Sequence, residues 1–240
     1  MEQHIFKQVD ELIIALAKTI QSAAQEAVAA RGQFNFVLAG GNSPRRLYEL
    51  LSSDAFKNNI DWSKTWFFFG DERFVPANDR QRNSLMAQQA LFDPLKIPPS
   101  HVFAVDTSHT PSAAAQHYSE TIATHFHHQP VRFDFILLGL GDDAHTASLF
   151  PYSSVLQATK PTVKAVFFKE KEIHRITMTA PLINQSRQIA FMVFGKNKAE
   201  AVAHVLKSSV KLPQQYPAQL IQPKSGKVQW FLDEQAASLL

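Results

Sequence analysis

The stretch that decides the fold is FDFILLGLGDDAHTASLFP, residues 133–151. It begins with the mostly apolar run Phe133–Leu138, which has the length and composition of a strand buried on both faces of a parallel sheet. A turn with two glycines follows and brings Asp142, Asp143 and His145 directly after the strand. Ligands of open parallel sheets bind at the carboxyl ends of the strands, so these side chains are candidate site residues.

An earlier apolar strand, Phe34–Leu38, runs into the loop Gly40-Gly41-Asn42-Ser43-Pro44. Ser43 is predicted to cap the following helix, with Pro44 at its first position. The loop amides and the positive end of the helix would then face an anion such as phosphate. An ordinary strand-to-helix turn explains the same residues equally well. The P-loop lysine and the Gly-x-Gly-x-x-Gly spacing are both missing, which disfavours a nucleotide.

A further strand, Thr65–Phe69, is followed by three charged residues, Asp71, Glu72 and Arg73. Such a run is usually solvated, but this one follows a very apolar strand and is therefore expected at the carboxyl edge of the sheet. There Arg73 can bind a phosphate through two hydrogen bonds, and a carboxylate can hold the guanidinium in place.

Strands and helices alternate along the chain, which predicts an α/β fold, a three-layer α/β/α sandwich with an open, mostly parallel sheet. The other predicted strands are 101–103, 163–168, 173–179, 189–194 and one that ends near 233. Predicted helices cover 6–31, a segment after 44, 84–92 with a break at Asp93-Pro94, 111–128, a short segment after 180, 198–206 and a short segment near 217. No repeat, low-complexity tract or linker is visible, so we expect one domain over 1–240.

Composition narrows the classes of function. The 24 basic and 21 acidic residues are scattered without a basic block, so we expect no nucleic-acid partner. With no cysteine there is no disulfide, thiolate metal site or cysteine nucleophile. The amino terminus has no charged signal-peptide pattern and no uncharged run is long enough to cross a bilayer, so we expect no membrane association and a cytoplasmic protein.

The segment Asp142 to His145 suggests acid–base chemistry. A neighbouring carboxylate can fix the tautomer of a histidine and raise its basicity, so that the ring activates water near neutral pH. The alternative is a turn that caps a helix beginning near Thr146. No zinc-binding spacing is present, so no metal is expected, and the histidines of 125–128 are interpreted as cations near a helix C-terminus.

Four blocks of sequence, taken together and in this order, resemble the 6-phosphogluconolactonase family of the non-propeller type: residues 40–44, 70–76, 138–151 and 175–179. The string from His145 to Pro151 is the most specific of them. Arg175 and Lys198, each uninformative alone at an element boundary, join Arg73 in this resemblance as residues that would bind the substrate phosphate.

The resemblance implies hydrolysis of 6-phosphoglucono-1,5-lactone, a sugar phosphate lactone, without an organic cofactor. It implies His145 as general base with Asp143 orienting it, the loop Gly40, Gly41, Asn42 and Ser43 as an anion cradle, and Asp71 and Glu72 in the hydrogen-bonding frame of the site. A monomer or weak homo-oligomer is expected. The alternatives are a glucosamine-6-phosphate deaminase-like isomerase on the same fold and, less favoured, a non-catalytic sugar-phosphate sensor.

The chain departs from the family pattern at two places. Asn42-Ser43 stands where the family usually has Ser-Thr, which keeps polar side chains but changes which one reaches the ligand. Ala144 stands where the family usually has glycine. If that backbone has a positive φ, alanine carries a strain of about 1 kcal/mol.

Overall fold

The structure, a computed structural model, describes residues 1–240. Its strands are β1 (Glu2–Phe6), β2 (Phe34–Leu38), β3 (Thr65–Phe69), β4 (Asp71–Arg73), β5 (Phe135–Leu138), β6 (Val163–Phe168), β7 (Ile173–Met178), β8 (Gln188–Val193) and β9 (Lys227–Asp233). Its helices are α1 (Val9–Arg31), α2 (Asn42–Leu51), α3 (Asn83–Ala87), α4 (Asp93–Leu95), α5 (Pro111–His125), α6 (Ala180–Ile183) and α7 (Ala199–Leu206).

Six strands form one sheet in the order β1-β9-β8-β5-β2-β3, and every neighbouring pair is parallel. The carboxyl ends of all six strands therefore lie at the same edge. A second sheet, in the order β4-β7-β6, is antiparallel and has three strands. Because β4 follows β3 after the single residue Gly70, the small sheet is attached at the carboxyl edge of the large one.

Two apolar layers cover the large sheet, as alternation along its strands requires. Phe34 and Phe36 of β2 pack into a core formed with α1 and α2, whereas Val37 faces the opposite core, which contains α5 and α7. In β5, Leu137 packs into the core with α1 and α2, and Ile136 packs into the core with α5 and α7. The small sheet packs into the layer of α5, through residues of β6 and β7. The predicted α/β/α sandwich with a mostly parallel sheet is confirmed.

Several predicted boundaries were wrong. The segment before α1 is the strand β1, whose side chains are mostly exposed because it pairs at the edge of the sheet. The predicted break at Asp93-Pro94 does not occur: a π-helical segment, Gln88–Phe92, links α3 to α4, and the left-handed residue Lys96 ends the helical run. Residues 101–103 form a single bridge, from Val102 to Phe67, instead of a strand.

Candidate active site

A cavity of about 360 Å³ opens at the carboxyl edge of the large sheet, within the size range of small-ligand pockets. Loops after four strands, β2, β3, β5 and β8, form its wall, and the β6–β7 hairpin closes one side. Sequence reasoning identified the first three loops; the loop after β8 was represented only by Lys198. Parallel strands bring these loops together because their carboxyl ends share one edge.

His145 lies on this wall with its ring held by Asp143. The ring Nδ1 lies 2.6 Å from Asp143 Oδ1, and the same oxygen accepts a 3.1 Å hydrogen bond from the His145 amide. Nδ1 therefore donates its proton to the carboxylate, and Nε2 is the nitrogen that can accept a proton. Gly141 makes this approach possible, since a Cβ there would lie 2.1 Å from His145 Nδ1.

The carboxylate of Asp143 does not itself line the cavity. Burial raises its pKa, but the hydrogen bond and charge of His145 outweigh burial and hold the pKa below its ordinary value. Asp143 is therefore ionised at neutral pH and contacts the ring of His145.

The backbone from Gly141 to Tyr152 is an irregular, strained loop, and the alternative of a helix near Thr146 is wrong. Ala144, Ala147 and Tyr152 all have positive φ, with 61° at Ala144. The Ala144 carbonyl accepts a 2.9 Å hydrogen bond from the amide of Ala218, which fixes the turn beside His145. Left-handed residues other than glycine cluster at functional sites, where the surroundings hold them in place.

The glycine loop leads directly into α2, which begins at Asn42, two residues earlier than predicted. Gly41 is the N-cap, with φ 102°, and no side chain caps the helix, so Ser43 is not the capping residue. The first amides of α2 have no intrahelical partner and lie at the cavity wall with Asn42 and Ser43. Gly40 is required for another reason: a Cβ there would lie 1.9 Å from Asn83 Oδ1.

Asp71 lines the cavity and is held by two neighbours. Ser148 donates a 2.5 Å hydrogen bond to Asp71 Oδ2, and the amide group of Asn83 donates to the Asp71 carbonyl at 2.8 Å. Ser148 was not identified as a site residue from the sequence. It lies in the segment after β5, far in sequence from Asp71 after β3, and looks like an ordinary loop serine.

Glu72 points away from the cavity and is completely buried. Its carboxylate accepts hydrogen bonds of 2.8–2.9 Å from the amides of Arg73, Asn83 and Ser84. Burial raises the pKa of Glu72, and these hydrogen bonds act in the opposite direction. Glu72 therefore joins β4 to the start of α3 and, unlike Asp71, does not line the cavity, so its predicted place in the hydrogen-bonding frame of the site involves no direct contact with the ligand space.

Two arginines lie side by side on neighbouring strands of the small sheet. Arg73 of β4 is the direct partner of Arg175 of β7, and both line the cavity. Burial lowers the pKa of Arg175, and the charge of Arg73 lowers it further. Like charges opposite each other in an antiparallel pair are destabilising. The Nε atoms of both are buried without a hydrogen-bond partner, so the pair is suited to an anion.

Lys198 also lines the cavity, and it forms an ion pair with Asp142 in which Nζ lies 2.5 Å from Oδ1. The hydrogen bond from Lys198 lowers the pKa of Asp142 despite an opposing effect of burial. Lys171, at the tip of the β6–β7 hairpin, adds another positive charge to the wall. Nothing in the sequence indicated Lys171, which lies in a run of alternating charges typical of a solvated turn.

His125, the last residue of α5 and the first of the histidines at 125–128, is not a cation at the end of a helix. His125 is half-buried among aromatic rings, and its Nε2 lies 2.7 Å from Asn35 Oδ1. Burial lowers its pKa, so this ring is neutral at pH 7. No three His, Cys, Asp or Glu side chains are placed to hold a metal ion, and no helix is long and apolar enough to cross a membrane.

Fold and site together define an α/β protein in which a histidine bonded to an aspartate and a pair of arginines surround one cavity at the carboxyl edge of the sheet. A sequence model of the family described as glucosamine-6-phosphate isomerases/6-phosphogluconolactonase matches residues 7–230. The chain belongs to this family.

Individual proteins make the relation more specific. The chain is 40% identical to 6-phosphogluconolactonase of Synechocystis sp. over 220 residues, which are 90% of this chain and 88% of that protein. The structure of 6-phosphogluconolactonase from Trypanosoma cruzi matches with a TM-score of 0.88 and 27% identity, covering 100% of this chain and 96% of that one. A monomeric glucosamine-6-phosphate deaminase shares the fold at a TM-score of 0.84 and 21% identity, with all of both chains covered.

Proposed function

We propose that this chain is a carboxylic ester hydrolase that opens 6-phosphoglucono-1,5-lactone to 6-phosphogluconate, a step of the oxidative pentose phosphate pathway. The observation that carries the proposal is one cavity with His145, held by Asp143 from outside, on one wall and the Arg73–Arg175 pair on another. The 40% identity to 6-phosphogluconolactonase of Synechocystis sp. supports the same reaction. No organic cofactor is needed for ester hydrolysis.

In this mechanism His145 is the general base. Its Nε2 takes a proton from water as the water oxygen attacks C1 of the lactone, and the imidazolium that forms is stabilised by Asp143. Collapse of the tetrahedral intermediate breaks the bond between C1 and the ring oxygen. The proton on Nε2 then passes to the departing oxygen, which becomes the hydroxyl of the product, and His145 returns to its neutral form.

Charged and polar groups around His145 hold the substrate. Arg73, Arg175 and Lys198 bind the phosphate, for which a planar guanidinium pair is well suited. The amides of residues 40–42 at the start of α2 donate hydrogen bonds to the anionic groups of the reacting substrate, and the positive helix end supports them. Asp71, held by Ser148 and Asn83, accepts hydrogen bonds from sugar hydroxyls.

The test is a pair of assays that separates the lactonase from the deaminase. Acid release from freshly generated lactone is followed at constant pH, and the spontaneous opening rate is subtracted. Ammonia release from glucosamine 6-phosphate is measured beside it. We expect acceleration of lactone opening and no ammonia. Ammonia release without lactone opening would overturn the proposal in favour of the deaminase, and tight 6-phosphogluconate binding without any turnover would favour a sensor.

A cytoplasmic location, a monomeric or weakly self-associating state and the lack of a nucleic-acid partner remain predictions. Sedimentation at several protein concentrations measures the association state. A sharp, concentration-independent dimer would contradict the prediction.

A further inference from the structure

Two stacked aromatic rings connect the proposed base to the proposed phosphate site. The rings of Phe150 and Phe168 stack with centroids 4.2 Å apart and an angle of 7° between their planes. The His145 ring packs on Phe150, with the two ring centroids 4.8 Å apart. The guanidinium carbon of Arg175 lies 5.9 Å from the centre of Phe168. All four side chains line the cavity.

The contact with Phe150 restricts the ring of His145. Asp143 holds one edge of the imidazole through a 2.6 Å hydrogen bond, and this bond breaks if the side chain rotates about χ1 or χ2. Phe150 is buried and packs at 51° to the imidazole, so it blocks this rotation. The two contacts together fix the direction in which Nε2 points, and a misdirected base loses much of its effect on rate.

The contact with Phe168 positions the guanidinium of Arg175 in a similar way. The Nε of Arg175 is buried without a hydrogen-bond partner, and its cross-strand neighbour Arg73 repels it. A ring face within about 6 Å attracts a guanidinium. Phe168 therefore offers Arg175 a resting position on the cavity wall when no anion is bound, at a place set by the stack on Phe150.

We propose that Phe150 and Phe168 are positioning residues that act as a spacer, fixing the separation between the base and the phosphate-binding arginine. The inference rests on the proposed function and adds to it a source of specificity. A substrate reacts well only if the distance between its lactone carbonyl and its phosphate matches the length of the stack. The spacer thereby favours the phosphorylated lactone over a lactone without a phosphate.

The experiment compares three single substitutions. Phe150→Leu and Phe168→Leu each remove one ring of the spacer. Phe167→Leu is the matched control, because Phe167 is the neighbouring residue of β6, is 47% exposed and does not line the cavity. Initial rates are measured with 6-phosphoglucono-1,5-lactone and with glucono-1,5-lactone. Calorimetric titration with 6-phosphogluconate gives the fraction of binding-competent protein, so that partial unfolding is not read as a kinetic effect.

Different results are expected for the two rings. Phe168→Leu raises KM for the phosphorylated lactone about tenfold and lowers the ratio of kcat/KM between the two lactones by the same factor, which a general loss of folded protein cannot do. Phe150→Leu lowers kcat about tenfold with little change in KM. The control keeps the wild-type constants.

A nuclear magnetic resonance measurement tests the role of Phe150 without turnover. The Cε1–H signal of His145, assigned by its loss in His145→Gln, is expected to show an order parameter near the rigid value of about 0.85 in wild type and below about 0.6 in Phe150→Leu. Phe150→Met, which keeps the apolar volume, replaces this variant if it does not fold.

The outcomes are separable. An unchanged ratio of kcat/KM in Phe168→Leu, an unchanged kcat or order parameter in Phe150→Leu, or an equal effect of the control would overturn the spacer proposal. Failure of wild type to accelerate lactone opening would overturn the proposed function instead. The spacer proposal is then tested by the His145 order parameter and by calorimetry. We expect Phe168→Leu to bind 6-phosphogluconate about tenfold more weakly than wild type does.

Discussion

At the scale of single residues, the proposed chemistry depends on the His145–Asp143 contact. The carboxylate selects the tautomer in which Nε2 is free, and it is ionised because the pKa of Asp143 lies below its ordinary value. Replacement of Asp143 by asparagine keeps the shape but permits the opposite tautomer. We expect Asp143→Asn to lower kcat by about a hundredfold or more with a small change in KM. A variant with wild-type kcat would show that Asp143 is dispensable.

The lowered pKa of Asp143 also sets the sign of a pH effect. A carboxyl whose pKa is lower in the folded state stabilises that state above its unfolded pKa, ordinarily about 3.8, and this contribution is lost as the pH falls through the folded value. The difference in unfolding midpoint between wild type and Asp143→Asn should therefore shrink only in the acid range. A constant difference down to the lowest accessible pH would contradict this linkage.

Ala144 shows how a family glycine can be replaced. Its φ of 61° carries a strain of about 1 kcal/mol for an L-residue. Its completely buried methyl group contributes about 0.8 kcal/mol in return, and alanine also loses less chain entropy than glycine on folding. The opposing terms nearly cancel.

We therefore expect Ala144→Gly to change the free energy of unfolding by less than about 1 kcal/mol, whereas Ala144→Val, which is β-branched, destabilises by more than about 2 kcal/mol. Denaturant titration measures both. A gain above about 1 kcal/mol in the glycine variant would mean that the strain is uncompensated.

At this scale the sequence predicted the residues that follow strands and missed those that reach the site from elsewhere. His145, Asp143 and Arg73 stand directly after apolar strands, so their position was visible in the pattern. Ser148 and Lys171 looked like ordinary polar loop residues. Only the tertiary contacts, such as the hydrogen bond of Ser148 to Asp71, identify them.

At the scale of elements, Glu72 connects β4 to α3. Its buried carboxylate accepts from three backbone amides, and in Glu72→Gln the side-chain amide would turn a donor toward one of them, the amide of Ser84. We expect Glu72→Gln to destabilise the protein by about 1–3 kcal/mol. The exposed Glu49, which pairs with Arg45 on α2, is the control, and Glu49→Gln should stay within about 0.5 kcal/mol.

Thermal and denaturant unfolding compare the two glutamine variants. Equal, small effects would mean that the Glu72 hydrogen bonds contribute little. A large loss of kcat in a fully folded Glu72→Gln protein would return Glu72 to the ligand site.

Elements with a strong apolar pattern were predicted well, and those defined by pairing were not. β2, β3, β5 and β8 are apolar on both faces and follow glycine or turn signals. The edge strand β1 lacks that pattern because one of its sides has no neighbour. The π-helical segment Gln88–Phe92 continues through what looked like a break at Pro94. Pro94 has no amide hydrogen to bond the carbonyl of Ala90, four residues earlier, and that carbonyl accepts a 3.0 Å hydrogen bond from the Ser52 hydroxyl instead.

At the scale of the whole molecule, the all-parallel sheet is what assembles the site. It places the ends of β2, β3, β5 and β8 at one edge, so that loops distant in sequence share one cavity. The alternation of strands and helices predicted this arrangement. The antiparallel small sheet, and with it the opposition of Arg73 and Arg175, depends on pairings that no local pattern reveals.

A single domain over the whole chain remains a prediction at this scale. Both apolar layers share the large sheet, so opening one layer exposes the other. We expect one cooperative transition with coincident fluorescence and circular dichroism midpoints. Two separated transitions would indicate independently folding parts.

The central claim is that His145 acts as the base of a lactone hydrolase in this cavity. Its most direct test is the rate of 6-phosphoglucono-1,5-lactone opening by wild type and by His145→Gln, each corrected for the spontaneous reaction, with 6-phosphogluconate binding as a check on folding. We expect the variant to bind the product about as well as wild type and to lose about 10²–10⁴-fold in kcat. Turnover by folded His145→Gln near the wild-type rate would contradict it.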